Sequence, residues 1–449
     1  MSTDIIVLLV TGAFLVMLAL EMPVALALAG SGGLGILLLG NWTQANAAMA
    51  GTPYSSIAAY SLAIIPLYVL LGMFAVHGRL AERVYAVGAV ALRSLPGGLG
   101  IATVAACAGF SAVSGSSVAT AATVGRISIE EMRRNGYPAA FATGIVAMGG
   151  TLGILIPPSV AMVLYGIMTG ESISQLLVAG IIPGVMSAVA YAVFASLRAR
   201  KLVQKPELSL EEALADAHGD AAPRSRLPKG SFRAVLWLAA IFTAIMVGMF
   251  TGIFTVIESS AIGALIALLM LFFENFRSGI KAIWKLIVMS ARETAATSTM
   301  TMILMVGATV FSTFLVLSRI PFKMSEFVAD LDMPPMVIII LILLILIPLG
   351  MFLDELSVMI IVVPLVHPIV TDLGFSGVWF AVLFVILLQI GLVAPPVGMN
   401  CFVISSVAKV PLATVYRGVI PFMIPAFVVV VLIMVFPDIA LWLPSLTVE

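Results

Sequence analysis

Apolar runs long enough to cross a lipid bilayer recur from one end of this sequence to the other. They restrict it to folds that satisfy backbone polar groups without water, which in lipid means helices or closed barrels. Ile5 to Leu20, Leu177 to Leu197, Val235 to Phe254 and Val419 to Phe436 come close to or reach the roughly 20 residues that a spanning helix needs. Shorter runs such as Pro23 to Leu39, Ala261 to Phe273, Val337 to Leu349 and Phe380 to Leu392 fit half-helices. Only 10% of the 449 residues are charged and 62% are hydrophobic, against about a quarter charged in an ordinary soluble domain. The expected fold is an all-α polytopic membrane protein.

The 22 basic and 22 acidic residues cancel, which leaves no basic face to neutralise a phosphate backbone and argues against nucleic acid as a partner. Cys107 and Cys401 sit in apolar runs without Cys-x-x-Cys spacing. They read as small core residues, and no transition-metal site is expected. Met1 to Asp4 lacks the basic flank of a signal peptide, so Ile5 to Leu20 reads as a retained first span.

Residues 198–233 form the one clearly polar stretch, rich in Lys and Arg and carrying Pro206, Pro223 and Pro228. It reads as a linker that divides the chain into a first repeat, 1–197, and a second, 234–449. Its basic residues border the membrane, and the positive-inside rule places it in the cytoplasm, together with the clusters Arg126 to Arg134 and Arg277 to Lys285. The halves match at one offset: Gly153 to Pro158 aligns with Gly391 to Pro396, and Gly180 to Pro183 with Gly418 to Pro421. Counting back from the linker gives about five crossings per half, provided one segment in each turns back without crossing. An odd count inverts the second copy, a plan that puts the binding site of secondary transporters where the copies meet.

The segments that turn back are the ones able to carry chemistry. Around 98–125, the sequence Gly109 to Ser117 interrupts two apolar arms with glycine and serine, giving a re-entrant hairpin whose freed polar groups need protein or water as partners. Its counterpart, about 335–371, carries Asp354 and Glu355 deep in an apolar region, where carboxylates are costly enough to mark an ion or substrate pathway. Pro157-Pro158 and Pro395-Pro396 each remove two backbone donors from a helix and expose carbonyls a turn earlier. Such oxygens suit a hard cation such as sodium, and a facing half-helix N-terminus attracts a carboxylate. Thr151, Ser159, Asn400 and Ser405 flank the breaks as possible donors. Ser116, Ser117, Thr151, Asp354 and Asn400 are the candidate substrate contacts.

Other features weigh less. Glu21 and Glu258 adjoin apolar spans and fit helix-end caps, and His77 to Leu95 and Ser318 to Met333 look like interfacial amphipathic arms. His77 and His367 are remote from nucleophiles, which disfavours a Ser-His hydrolytic pair with Ser116, and no Gly-x4-Gly-Lys-Ser/Thr loop is present to use ATP. A channel would use similar loops but conduct without saturation; the paired breaks favour a transporter. A symporter that works without partner proteins is the nearest alternative.

Phe110 to Gly125, Glu131 to Tyr137, Gly150 to Ser159, Gly252 to Glu258, Gly350 to Asp354 and Ala394 to Asn400 together resemble the large membrane subunit of tripartite ATP-independent periplasmic (TRAP) transporters. The resemblance covers nearly the whole chain. It implies a sodium-driven importer of the elevator type in the bacterial inner membrane. A periplasmic binding protein would deliver a small organic anion, and a small four-helix membrane subunit would brace the scaffold. As the sequence starts at the large subunit's first span, that small subunit is expected to be a separate chain. Carried over by motif, one sodium site would involve Ser111, Ser114, Gly153, Ile156 and Pro158. A second would involve Gly350, Gly391, Ala394 and Val397, mainly through carbonyls, although Ala394 stands where the family often has threonine. Sodium is then expected to bind first and order the hairpin tips before the anion enters.

Overall fold

The computed structural model describes residues 2–40, 42–202 and 230–446. Among them eight helices are long and apolar enough to cross a membrane, and the rest of the apolar sequence forms shorter helices. The first half runs α1 (Thr3–Ala19), α2 (Val24–Leu39), α3 (Trp42–Ile57), α4 (Ile64–His77), α5 (Leu80–Leu92), α6 (Gly98–Ser114), α7 (Ser117–Arg134), α8 (Ala139–Thr151), α9 (Val160–Thr169), α10 (Ile173–Ala179) and α11 (Ile181–Leu202). The second runs α12 (Ser231–Phe250), α13 (Val256–Asn275), α14 (Ile280–Leu317), α15 (Ile320–Ala329), α16 (Pro335–Phe352), α17 (Glu355–Asp372), α18 (Gly377–Gly391), α19 (Met399–Ala408) and α20 (Leu412–Val435).

The repeat seen in two short motifs extends over whole elements: α6–α7 corresponds to α16–α17, α8–α9 to α18–α19, and α10–α11 to α20. The copies diverge in that α10 and α11 are two helices against the single α20, and in that α3 and α4 are separated by a bend whereas their counterpart α14 is a single helix of 38 residues, about 57 Å long at 1.5 Å per residue. Hairpin 1 continues through Arg134 rather than ending near 125, because α7 stays helical to a cap at Asn135. The polar linker as read from sequence also loses its ends, since α11 extends to Leu202 and α12 begins at Ser231. Residues 203–229 lie outside the described residues.

Contacts at the two ends of the bundle establish the inversion. The C-terminus of α9 lies beside the base of hairpin 2: Glu171 Oε1 is 3.8 Å from His367 Nε2 on α17, and it abuts Gly377 at the start of α18. The C-terminus of α19 lies beside the base of hairpin 1, where Lys409 shares a cavity with Arg133 and Arg134. Since α8 starts just after hairpin 1 and α18 just after hairpin 2, α8–α9 and α18–α19 cross in opposite directions.

Packing divides the elements into two bodies. One pairs α2 with α14 and α4 with α13, again with the copies exchanged. The other gathers both hairpins and both broken helices, with α19 against α7, α9 against α17, and α8 against α7 and α20. The amphipathic arms α5 and α15 are each entered through an arginine in the left-handed region, Arg79 (φ 56°) and Arg319 (φ 57°). Arg83 of α5 pairs with Glu274 of α13, which Arg233 of α12 also reaches at 2.9 Å. On α15, Lys323 Nζ lies 2.6 Å from Asp4 at the start of α1. Glu258 caps α13 in a reciprocal capping box with Thr255, while Glu21 sits in an exposed turn at φ 60° and caps nothing. Cys107 and Cys401 are buried and unpaired.

Candidate ion and solute site at the hairpin tips

Two residues at matching places in the repeat start the second arm of each hairpin. Ser116 caps α7, its hydroxyl accepting from Ala119 N at 3.4 Å. Asp354 caps α17, accepting from Leu356 N at 3.1 Å, from Ser357 N at 3.2 Å and from the Ser357 hydroxyl. The next residues then meet across the gap: Ser117 Oγ donates to Glu355 Oε2 at 2.8 Å over a sequence separation of 238. Contact between repeat-mates places the pseudo-two-fold axis at this hydrogen bond. The tips of hairpins that enter from opposite ends therefore touch inside the bundle.

The helix breaks lie directly behind the tips. In the first, α8 tightens into a 3-10 turn at Leu152–Ile154 before the cis Pro157-Pro158 bond. The helical partner of the Gly153 carbonyl would be the N–H of residue 157, which proline lacks, and Ile156 N turns to Leu152 O instead. The Gly153 carbonyl is thus left without a donor, while the Ile154 carbonyl is rescued by Ser159 Oγ at 2.6 Å. Close approach fixes Gly153 as glycine, because a Cβ there would stand 2.5 Å from the Ser116 carbonyl oxygen. Gly115, at φ 60°, faces the Pro158 carbonyl in the same way. Ser111, fully buried, has a hydroxyl with no partner, and Ser114 Oγ pairs with Thr120 Oγ1 at 2.7 Å.

The fold therefore brings Ser111, Ser114, Gly153 and Pro158 to one tip. Ile156 turns its side chain away from it, onto Gly184 of α11. The second break is more fully satisfied. Gly350 and Gly391 touch backbone to backbone, but the Gly391 carbonyl accepts from Ala394 N at 3.0 Å. The carbonyls of Pro396 and Val397 both lie 2.6 Å from the Tyr416 hydroxyl. Asn400 N closes on Leu392 O at 3.1 Å, and Gly398 N ties the break to Met351 of hairpin 2 at 3.1 Å.

Two cavities flank the tips. One of about 250 Å³ is walled by Ser114, Gly115 and Ser116, by Ala119 and Ala122 of α7, by Glu355, and by Val69, Thr297 and Thr301 of the α4–α14 body. The other, about 650 Å³, lies between the start of α2, the middle of α14, Asp354 and Ser357. Thr151 reaches neither: it is fully buried and donates to Met148 O of its own helix at 2.7 Å. Ser117 faces Glu355 rather than open space. Ser159 caps α9, and Ser405 closes the end of α19 on Val410 O at 2.7 Å, so both satisfy backbone.

Asn400 is fully buried with neither side-chain polar atom partnered, and so is Gln389. Gln389 went unnoticed in the sequence, although it is the single polar side chain in α18 and the repeat-mate of Thr151. The scaffold residues Thr297 and Thr301 were also missed, because only packing places α14 opposite hairpin 1. Among the described residues no group of His, Cys, Asp or Glu could hold a metal ion.

These features define a transporter: inverted copies, touching hairpin tips and oxygen-rich helix breaks facing a cavity between two bodies. The chain belongs to the family described as "Tripartite ATP-independent periplasmic transporter, DctM component", whose pattern matches residues 11–439. It is 33% identical to the C4-dicarboxylate TRAP transporter large permease protein DctM of Pseudomonas aeruginosa over 86% of each chain. The sialic acid TRAP transporter large permease protein SiaM of Vibrio cholerae is 30% identical, covering 92% of each. The 2,3-diketo-L-gulonate TRAP transporter large permease protein YiaN of Escherichia coli is 29% identical, over 87% of this chain and 88% of that one. Among solved structures, the YdaH transporter of Alcanivorax borkumensis shares the fold, with a TM-score of 0.61 at 15% identity over 89% of each chain. The chain is thus a multi-pass transporter permease and not an enzyme.

Proposed function

We propose that this permease imports a small organic anion through the inner membrane, coupled to sodium, after a periplasmic binding protein delivers it. A small membrane subunit braces the α4–α14 body. The relatives' names, which specify C4-dicarboxylate, sialic acid and 2,3-diketo-L-gulonate, support a carboxylate as the transported group. The observation that carries the reading is the paired tips: Ser117 on Glu355, with the donor-free Gly153 carbonyl and the unpartnered Ser111 hydroxyl immediately behind.

Those uncharged oxygens fit sodium. A hard cation takes carbonyl and hydroxyl ligands, and the break provides them without a fixed negative charge. Bound there, the ion would supply positive charge beside a pocket that otherwise holds only the Glu355 carboxylate. Ser111, Ser114, Gly153 and Pro158 would hold it, with Ile156 contributing its carbonyl. Gly350, Gly391, Ala394 and Val397 make a second, weaker candidate, because two of its carbonyls already have donors.

The anion would rest in the 250 Å³ cavity between hairpin 1 and the α14 threonines. Ser116 lines it directly, whereas Asn400 and Gln389 stand within the second break. Both hairpins and both broken helices pack as one body, which supports their moving together against the α2, α4, α13 and α14 body in an elevator step. The test is reconstitution with the small subunit and candidate binding proteins, measuring uptake of succinate, sialic acid and 2,3-diketo-L-gulonate. Sodium-gradient-dependent, saturable uptake of at least one is expected; uptake that ignores the gradient would remove sodium coupling.

A further inference from the structure

On α7, Val118 and Ala122 line the tip cavity, and Gly125, Ile129 and Arg133 line a larger cavity of about 620 Å³ at the base of hairpin 1. Steps of four, three, four and four residues put all five on one face of the helix. A second row, Ala119 then Arg126 and Glu130, runs beside it. One helix face thus leads from the hairpin tips to this outer cavity, whose opposite wall is the C-terminus of α19, ending in Ala408 and Lys409.

The outer cavity is basic. Arg134 is paired with Glu130, but Arg126, Arg133 and Lys409 have no carboxylate partner among the described residues, although all three line it. Lys409 is also in the left-handed region, at φ 51°. A side chain there is disfavoured relative to glycine, and the corresponding end of α9 uses Gly170, at φ 77°. The opposite end of the molecule has no such charge. The repeat-mates of Arg126, Arg133 and Arg134 are Pro364, Thr371 and Asp372, and the residue after Gly170 is the acid Glu171. Positive-inside placement alone explains scattered arginines; it does not explain three unpaired cations converging from two helices on a cavity that continues the substrate face.

We propose that this cavity is a release vestibule that holds the carboxylate of the departing anion at the cytoplasmic mouth. The proposal rests on the organic-anion reading above. Guanidinium forks match carboxylates in geometry, and a cleft lined by one sign of charge concentrates ions of the other. Arg126, Arg133 and Lys409 bind the anion after it leaves the tips and oppose its return.

The test places a thiol in the cavity by Ala408→Cys, or by Val407→Cys if that variant does not insert, in inside-out membrane vesicles containing the full complex. Reaction rates are compared for anionic sulfonatoethyl and cationic trimethylammonioethyl methanethiosulfonate, each normalised to a free thiol. The anionic reagent should be favoured about tenfold or more, and the preference should fall to within about twofold when Arg126→Gln, Arg133→Gln and Lys409→Gly are combined. Millimolar succinate should slow labelling several-fold more than sodium chloride of equal ionic strength. No anionic preference, or protection by succinate no greater than by chloride, would overturn the vestibule. A failure of the transport reading appears elsewhere, as absence of sodium-driven uptake by the wild-type complex.

Discussion

The two helix breaks are one backbone figure executed with different side chains, and the difference separates structure from function. Each has a cis Pro-Pro bond, a glycine pressed against the neighbouring hairpin, and a short helix restarting beyond it. In the first, a serine satisfies one freed carbonyl and leaves another bare next to an orphaned hydroxyl. In the second, the Ala394 and Asn400 N–H groups cover the equivalent oxygens of Gly391 and Leu392, and Tyr416 reaches two further carbonyls, those of Pro396 and Val397. The tips diverge in the same manner: Ser116 caps weakly through one long bond, while Asp354 makes three. Repetition supplied the scaffold twice, and the carbonyl of the break glycine stays open only in the first copy, at Gly153; the second leaves its unpartnered polarity in the Asn400 and Gln389 side chains.

The most damaging way to break this comparison is at Gly153. Gly153→Ala drives a methyl group into the Ser116 carbonyl, and since backbone must shift to relieve it, overpacking of about 1–3 kcal/mol falls on the tip itself. Sodium-driven uptake should drop by at least about tenfold with normal membrane insertion. Gly12→Ala, with nothing within 4 Å of the new methyl, should leave uptake unchanged. Equal loss in both would show that helix glycines matter here for reasons other than the tip.

Next in size is the contact between repeat-mates. Ser117→Ala strands a half-buried Glu355 carboxylate without its donor, a cost toward the lower end of about 1–3 kcal/mol. Glu355→Gln can still accept from Ser117 and removes the charge instead. Uptake assays alongside thermal unfolding should find Ser117→Ala the less stable protein, and Glu355→Gln the one with altered sodium dependence. The reverse assignment would mean that Glu355 acts only as packing.

Ser111→Ala probes the open break. Removing an unpartnered hydroxyl costs the fold little, so stability should hold while the sodium concentration for half-maximal uptake rises several-fold. Unchanged sodium activation would exclude Ser111 as a ligand. At the caps, Asp354→Ala should lower stability by about 1–2 kcal/mol and Ser116→Ala by less than about 1 kcal/mol, read by thermal unfolding. Asp354→Asn should retain most of the cap because asparagine serves nearly as well there.

How far these sites could be read in advance follows from what each signal consists of. Pro157-Pro158, Pro395-Pro396 and the Gly109–Ser117 run announce breaks in any apolar helix, since missing donors and absent side chains are local properties. The offset between copies is equally local, which is why hairpin ends at Gly98 and Pro335 could be placed closely. Asp354 and Glu355 show the limit: sequence marks both as costly, but only packing reveals that one is a helix cap and the other a partner of Ser117. Thr151 looked like a donor and instead bonds its own helix, the usual fate of a buried threonine. Gln389 carried a usable signal as the lone polar residue of α18, whereas Thr297 and Thr301 carried none, because the opposing wall of a cavity is a tertiary fact.

The smallest expected effect is at Tyr416, and it bears most directly on why the second break differs. Its single proton can serve only one of the Pro396 and Val397 carbonyls at a time, yet both oxygens lie within reach. Tyr416→Phe removes the donor and keeps the ring, so the stability lost should be about 1 kcal/mol, the net value of one hydrogen bond. If covering those carbonyls is what weakens the second candidate site, the variant should bind sodium more tightly, lowering the half-activating concentration by about twofold to threefold, which corresponds to less than 1 kcal/mol. Should the concentration rise, the tyrosine is holding Val397 in place as a ligand rather than withholding it, and the two breaks are then functionally alike.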